Sequence, residues 1–189
     1  MTVPNKICSL ITLLFVLSTN AFSQNLMHSY GATISVLSGS GITLSQTSIC
    51  YFPRYTFAEA ENTSFSVGVP VALGIGISNN AYGDAGVAFA YDLPAVLDYN
   101  IGCKSSPDNE ATFGGFFGVG FGYYKINISK SAYSNFSGAT YGPMARAGVR
   151  FSSVNETWRG HGIAVGIFYK KGLETAKLNT IGFNVLLDL

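Results

Sequence analysis

The chain has 189 residues and a formal net charge of +1, and 48% of its residues are hydrophobic while only 11% are charged. Typical globular chains carry about 25% charged residues, and nucleic-acid-binding surfaces need clustered basic side chains. The composition therefore argues against a nucleic-acid partner and indicates that much of the chain meets an apolar environment.

The first predicted element is an export signal. Lys6 is the only charged residue before an apolar run over residues 7–17, and Ala21-Phe22-Ser23 then fits the small-x-small pattern of a signal-peptidase site. The apolar run is shorter than the roughly 20 residues that a membrane-spanning helix needs, so a secretory signal peptide is predicted. We expect residues 1–23 to be removed and residues 24–189 to form one domain.

The rest of the chain alternates between large apolar and small or polar side chains, which is typical of strands with two unlike faces. The clearest stretch is 64–78, where Phe, Val, Leu and Ile alternate with Ser, Gly, Pro and Ala. Most such segments reach the roughly 9–11 residues that a tilted membrane strand requires. The eight predicted strands span residues 28–37, 47–58, 64–78, 87–101, 112–125, 138–151, 161–170 and 178–189.

The composition of the two faces predicts which of them points into a closed barrel. A soluble barrel would bury the large face and expose a face rich in charged and hydroxyl side chains, but the small face here is largely Gly and Ala. Small residues suit the narrow lumen of an eight-stranded barrel. The large face has no charge in the middle of any segment, and a lipid-facing Arg or Lys there would cost about 2–4 kcal/mol. We therefore predict that the large face contacts lipid.

The few charged residues on the small face would then project into the lumen. Buried charges persist only when they are paired and hydrogen-bonded, so we predict a structural network that closes the lumen as a polar plug and leaves no open pore. Within it, we expect Asp92 to pair with at least one arginine. The six predicted members are Arg54, Asp92, Asp98, Arg146, Arg150 and Asp188.

A signal peptide, eight alternating strands and a chain that stops on the last of them are features of one known family. In these respects the region 26–189 resembles the small outer-membrane β-barrel proteins of Gram-negative bacteria. The resemblance implies an all-β fold, a closed antiparallel up-and-down transmembrane β-barrel, located in the outer membrane. It also implies outer-membrane lipids and the barrel-insertion machinery as partners. Leu189 departs from the family pattern, because members usually end in an aromatic residue.

The implied topology places both termini in the periplasm. The connections near 38–46, 79–86, 127–137 and 171–177 would then face outside the cell, where they are candidate surfaces for partners. Those near 59–63, 103–111 and 152–160 would face the periplasm. Cys50 and Cys103 would lie near opposite ends of the barrel, so we do not expect a disulfide between them.

Residues with catalytic or ligand-binding chemistry are scarce. The two histidines, His28 and His161, have no metal-ligand spacing with another His, Cys or carboxylate. His161 with Ser152, Ser153 and Glu156 comes nearest to a hydrolase constellation, but at the periplasmic end of the predicted barrel. We therefore predict no catalytic residue, metal or cofactor.

The favoured function is that of a structural or surface-interaction barrel without enzymatic activity. Two alternatives remain open. One is a lipid-modifying hydrolase embedded in the outer membrane, and the other is a soluble periplasmic barrel that binds a small ligand.

Overall fold

The fold is built from antiparallel strands. The computed structural model describes residues 25–39, 42–80, 85–129, 135–152, 161–174 and 178–189, so the predicted signal peptide lies outside the described residues. Within those ranges, no helix is long and apolar enough to cross a membrane. The same ranges contain nine strands: β1 (Leu26–Gly39), β2 (Ile42–Ala60), β3 (Thr63–Gly68), β4 (Val71–Asn80), β5 (Ala85–Gly102), β6 (Phe113–Ser129), β7 (Asn135–Ser152), β8 (Gly162–Lys170) and β9 (Asn179–Asp188).

The sheet closes on itself, because β1 pairs with β2 on one side and with β9 on the other. The strands are staggered around the ring. A path that starts at Leu26 in β1 and steps from each residue to its registered partner on the next strand comes back to β1 at Val36, ten residues further along the chain. A stagger of this size goes with strands tilted by about 35–45° from the barrel axis. The path is Leu26, Tyr55, Val67, Leu97, Val119, Ala145, Tyr169, Ile181 and Val36.

Strands β3 and β4 are two parts of one strand position, interrupted by proline. Both pair with β2 and with β5 in a single continuous register, which places Pro70 opposite Pro94. Neither proline has an N–H to donate to the ladder, so the ladder lapses there and resumes at Val71. The nine strands therefore make a ring of eight positions, and the predicted closed antiparallel barrel of about eight strands is confirmed.

The two faces are arranged as a membrane barrel requires. The exposed outward face carries most of the large apolar side chains, among them Ile49 at 72%, Phe89 at 65% and Ile181 at 63% exposed, whereas inward positions are mostly buried. The predicted orientation of the faces is therefore confirmed. A soluble ligand-binding barrel would need the opposite arrangement.

The strands are longer than predicted at the end away from the termini. Of the predicted connection 38–46, residues 38–39 and 42–46 lie in strands, because β1 and β2 stay paired up to Gly39 and Ile42. Likewise β6 and β7 remain paired up to Ser129 and Asn135, within the predicted connection 127–137. The alternation of side chains fades where both faces meet polar surroundings, but backbone pairing needs no such alternation and continues.

Candidate functional site

The half of the lumen nearer the chain termini holds an ion-pair cluster centred on Asp188. The guanidinium of Arg54 donates from both terminal nitrogens to the two carboxylate oxygens of Asp188, each at 3.2 Å. The Ser29 hydroxyl donates to Oδ1 of Asp188 at 2.5 Å, and Nε of Arg150 lies 3.2 Å from Oδ2. Asp188 and Arg150 are fully buried. Because Ser29 is in β1 and Asp188 is in β9, this cluster spans the seam where the barrel closes.

The second pair of this cluster joins Arg146 and Asp98. Nε of Arg146 lies 3.6 Å from Oδ1 of Asp98, and both side chains are almost completely buried. Three guanidinium groups therefore share two carboxylates, Asp98 and Asp188, in this half of the lumen. Arginine stays charged inside proteins, so the surplus positive charge needs stabilisation of another kind.

Two phenylalanine rings supply that stabilisation. The guanidinium carbon of Arg146 lies between the rings of Phe52 and Phe116, 4.7 Å from the centroid of each. The same carbon of Arg150 lies 4.6 Å from the centroid of Phe116. Cation–π contacts of this kind are worth about 2 kcal/mol or more when they are desolvated. The lumen cluster is therefore a stack of alternating aromatic and cationic groups joined to two carboxylates.

Glycine leaves the space that the Phe116 ring occupies. A Cβ atom at Gly148 would lie 2.6 Å from Cζ of Phe116, and one at Gly166 would lie 2.9 Å from the same atom. Both distances are shorter than real Cβ contacts. The glycines of β7 and β8 thus belong to the cluster, although they carry no side chain.

Replacing Phe116 by leucine tests the aromatic contribution. Leucine keeps an apolar side chain of similar bulk but removes the ring face from Arg146 and Arg150, so we expect the free energy of unfolding to fall by about 2 kcal/mol. Urea unfolding from phospholipid vesicles measures this change. The control is Phe117→Leu, one residue further on and facing outward; equal losses in the two variants would contradict the assignment.

The turn after β5 folds across the mouth of the barrel at the end that holds the chain termini. Gly102 and Lys104 adopt φ values of 67° and 54°, and this left-handed backbone directs the turn inward. Cys103, Lys104 and Ser105 are buried, and the Ser64 hydroxyl donates to the Ser105 carbonyl. Burial lowers the pKa of the Lys104 ammonium, an effect that the nearby Asp188 carboxylate opposes. The turn thus covers the lumen at the end of the barrel that holds the termini.

A second group of paired polar side chains lies in the lumen, nearer the end of the barrel away from the termini. Nζ of Lys170 donates to Oδ2 of Asp92 at 2.5 Å, and the same ammonium lies 5.4 Å from the ring centroid of Tyr124. The Tyr124 hydroxyl in turn donates to Oε1 of Gln46 at 2.5 Å. An apolar cluster that includes Leu37, Leu44, Ala88, Ala90 and Ile126 adjoins this group.

The expected pairing of Asp92 with an arginine is wrong. Asp92 lies six residues before Asp98 in β5, towards the end of the barrel away from the termini, whereas Arg54 and Arg150 lie nearer the end that holds the termini. Lys170, the last residue of β8, reaches Asp92 across the lumen instead. The sequence contained a signal for this partner, because Lys170 falls on the small face of its segment.

All six predicted lumen residues point inward, and five of them, all but Asp92, belong to the cluster centred on Asp188. Sequence reasoning missed Phe52, Phe116 and Lys104. The first two are large aromatic residues at small-face positions, which is a departure from the alternation that could have marked them. Lys104 carries no such mark, since it lies in a turn.

The candidate hydrolase residues do not form a catalytic arrangement in the described part of the chain. The Ser152 hydroxyl donates to the backbone carbonyl of His161 at 2.7 Å and so is directed at the main chain. Ser153 and Glu156 lie outside the described residues. Nδ1 of His28 lies 2.8 Å from the Tyr51 hydroxyl on the outer surface.

Over the described ranges of the chain, no three His, Cys, Asp or Glu side chains are placed to hold a metal ion. Cys50 and Cys103 are both free and buried.

Comparison with known proteins finds similarity in structure and not in sequence. No protein-family model and no curated protein matches the chain. Neisserial surface protein A superposes with a TM-score of 0.59 at 12% identity, covering 87% of this chain and 96% of that one. Ail, the attachment invasion locus protein of Yersinia pestis, gives 0.57 at 15% identity, covering 87% and 97%. The outer-membrane enzyme PagL gives 0.51 at 10% identity, covering 85% and 98%.

At these identities the likeness concerns the fold alone, and it extends over nearly the whole of each compared protein. The closed ring, the outward apolar face and the three superpositions agree with one another. The chain therefore has the fold of the small eight-stranded outer-membrane β-barrel proteins of Gram-negative bacteria.

Proposed function

We propose that this protein is an integral outer-membrane barrel with a closed lumen, which serves a structural or surface-interaction role and does not act as a passive pore. The observation that carries the proposal is the occupied lumen. Ion pairs cross it at two levels, Arg54–Asp188 and Lys170–Asp92, with side chains at most 13% exposed. Removing one partner from a buried pair costs about 3–5 kcal/mol. Water and ions that entered the lumen would have to separate these pairs, and this energy opposes their passage.

A surface role is supported by the outer end of the barrel. The four predicted outward connections lie at the end opposite the termini, and the described parts of three of them, 38–46, 79–86 and 127–137, extend the strands as a paired rim. Neisserial surface protein A and the attachment protein Ail share this fold. By this proposal the rim meets partners outside the cell, the wall meets outer-membrane lipids, and the barrel-insertion machinery acts during biogenesis.

Conductance in a planar lipid bilayer tests the closed lumen. We expect no steady current from the wild type. The double variant Asp98→Ala with Arg146→Ala removes both members of a buried pair, so it leaves the net charge of the lumen cluster unchanged and opens space beside Phe52. We expect this variant to pass a small ion current.

The control for conductance is Glu110→Ala, which removes an exposed charge from the periplasmic turn and should leave the bilayer silent. A gel that compares heated with unheated samples verifies that each variant is a closed barrel. A steady wild-type current would overturn the proposal of a closed lumen, and recovery of the wild type in the soluble fraction without detergent would overturn the membrane location.

The alternative function is a lipid-modifying hydrolase, which the fold similarity to the enzyme PagL favours. His161 is the residue on which such an activity would depend, given the scarcity of histidine in the chain. Lipid hydrolysis by the wild type that is lost in His161→Ala would establish this alternative.

A further inference from the structure

Buried positive charge exceeds buried negative charge in the half of the lumen nearer the chain termini. Four cationic and two carboxylate side chains lie there, and each of the six residues is at most 5% exposed. Buried charges are stable only when other charges or hydrogen bonds compensate them, so a further negative group is expected. The six residues are Arg54, Lys104, Arg146, Arg150, Asp98 and Asp188.

The phenylalanine rings stabilise the faces of the guanidinium groups but not the N–H donors, which lie at the edge of the plane. Nη1 of Arg150 donates to Oδ1 of Asn100 at 2.8 Å, and Nε lies 3.2 Å from Oδ2 of Asp188. Nη2 of Arg150 is buried and has no hydrogen-bond partner among the described residues. A buried donor without an acceptor is costly, so this nitrogen indicates a further acceptor beside Arg150.

The turn after β5 brings a second unsatisfied group to the same place. Asn100, which accepts from Arg150, donates from Nδ2 to Oγ of Ser64 at 3.3 Å. The Ser64 hydroxyl donates in turn to the Ser105 carbonyl. A short chain of hydrogen bonds therefore joins Ser105 to Arg150. Ser105 is 1% exposed, and its own hydroxyl has no hydrogen-bond partner among the described residues.

Lys104 adds an ammonium group on the other side of Arg150. A Cβ atom at Gly162 would lie 3.1 Å from Cγ of Lys104 and 3.6 Å from Cβ of Asp188, so the lysine stem lies beside the aspartate that pairs with Arg150. The four ion pairs of the described residues do not include Lys104. The adjacent Cys103 thiol does not supply the missing negative charge, because burial raises its pKa.

We propose that Arg150, Lys104 and Ser105 bind a small inorganic anion of the size of chloride at this mouth of the lumen. Nη2 of Arg150 and Oγ of Ser105 donate to the anion, and the Lys104 ammonium supplies a second positive charge. The turn after β5 covers the site and so excludes bulky anions such as gluconate. The inference does not depend on which partner the rim of the barrel meets.

An anion suits this site better than a water molecule does. Arginine and lysine side chains only donate hydrogen bonds, so the groups around the site require an acceptor. Water must also donate, since a buried water typically makes about three hydrogen bonds, and it leaves the surplus of charge unchanged. A monovalent anion accepts from every one of these donors and reduces the surplus.

Urea unfolding of the protein from uncharged phospholipid vesicles tests the site, with chloride replacing gluconate at constant ionic strength. A ligand that binds only the folded state lowers the apparent unfolding equilibrium constant in proportion to its concentration, once that concentration exceeds Kd. We therefore expect a tenfold fall for each tenfold rise in chloride. Lys104→Gln and Ser105→Ala each remove one contact to the anion, and each should raise the chloride concentration at which this dependence begins by about tenfold.

The matched controls are Ser106→Ala and Lys125→Gln. Ser106 is the next serine of the turn and is partly exposed, and Lys125 lies on the outward face of β6, so both variants should respond to chloride as the wild type does. A wild type that chloride does not stabilise would show that water satisfies the donors, and would overturn the inference. An unchanged response in both Lys104→Gln and Ser105→Ala would also overturn it, because chloride would then bind elsewhere.

Crystals grown in bromide give a direct readout of the same site. We expect an anomalous scattering peak within hydrogen-bond distance of Nη2 of Arg150. Bromide peaks confined to the outer surface of the protein would contradict the proposed site.

Discussion

Replacing Asp188 by alanine should lower the free energy of unfolding by about 3–5 kcal/mol, as expected when a buried ion pair loses one partner. Asp188 accepts from Ser29 and from both terminal nitrogens of Arg54, and it pairs with Arg150. Its removal leaves two buried guanidinium groups short of a counter-charge. Urea unfolding from phospholipid vesicles measures the loss.

The control for Asp188 is Asp108→Ala, which removes an aspartate from an exposed position of the turn after β5. We expect this change to be within about 0.5 kcal/mol of the wild type. A loss below about 1 kcal/mol in Asp188→Ala would mean that water already solvates the cluster, and the closed lumen would then have to be abandoned.

Arginine substitutions on the outward face should reveal how deep each position lies in the membrane. Val119 and Val87 are 63% and 64% exposed, but Val119 lies near the middle of β6 and Val87 near the outer end of β5. An arginine at the bilayer midplane costs about 2–4 kcal/mol, and one near the interface about 0–1 kcal/mol. We therefore expect Val119→Arg to be strongly destabilising and Val87→Arg to be almost neutral.

The comparison of the two valines controls for side-chain volume and exposure, since both differ little between the sites. Unfolding in vesicles of matched composition gives the two free energies. If both arginines were tolerated equally, the outward face would be in contact with water, and the wall would not be the lipid-facing surface.

The sequence predicted the strands and their faces because side-chain alternation has the same period as the strand. Segments such as 64–78 therefore indicated both the element and its orientation. The strand ends were less predictable, since pairing between Gly39 and Ile42 depends on backbone hydrogen bonds and not on apolar side chains. The interruption at Pro70 could be anticipated only with the partner strand, whose Pro94 faces it in the register.

The sequence predicted which charged residues point into the lumen but not which of them pair with one another. Alternation shows that Asp92 and Arg146 point inward, but not how high each lies in the barrel, because height depends on the register of every intervening strand. For this reason the Lys170 partner of Asp92 was missed. The pairing of three arginines with two carboxylates became intelligible only when Phe52 and Phe116 were seen against the guanidinium groups.

The position of Asp188 has a consequence for the order of folding. Arg54 and Asp188 are separated by 134 residues, and Ser29 and Asp188 lie in β1 and β9, the first and the last of the nine described strands. Contacts of such long range form late, because the entropy of closing the loop must be met before they contribute. While the seam is open, these charges remain hydrated; when the last strand docks, they lose water and gain partners in one step. The lumen cluster thus makes closure of the barrel a cooperative event, and it stabilises the barrel only when β9 has paired with β1 in the correct register.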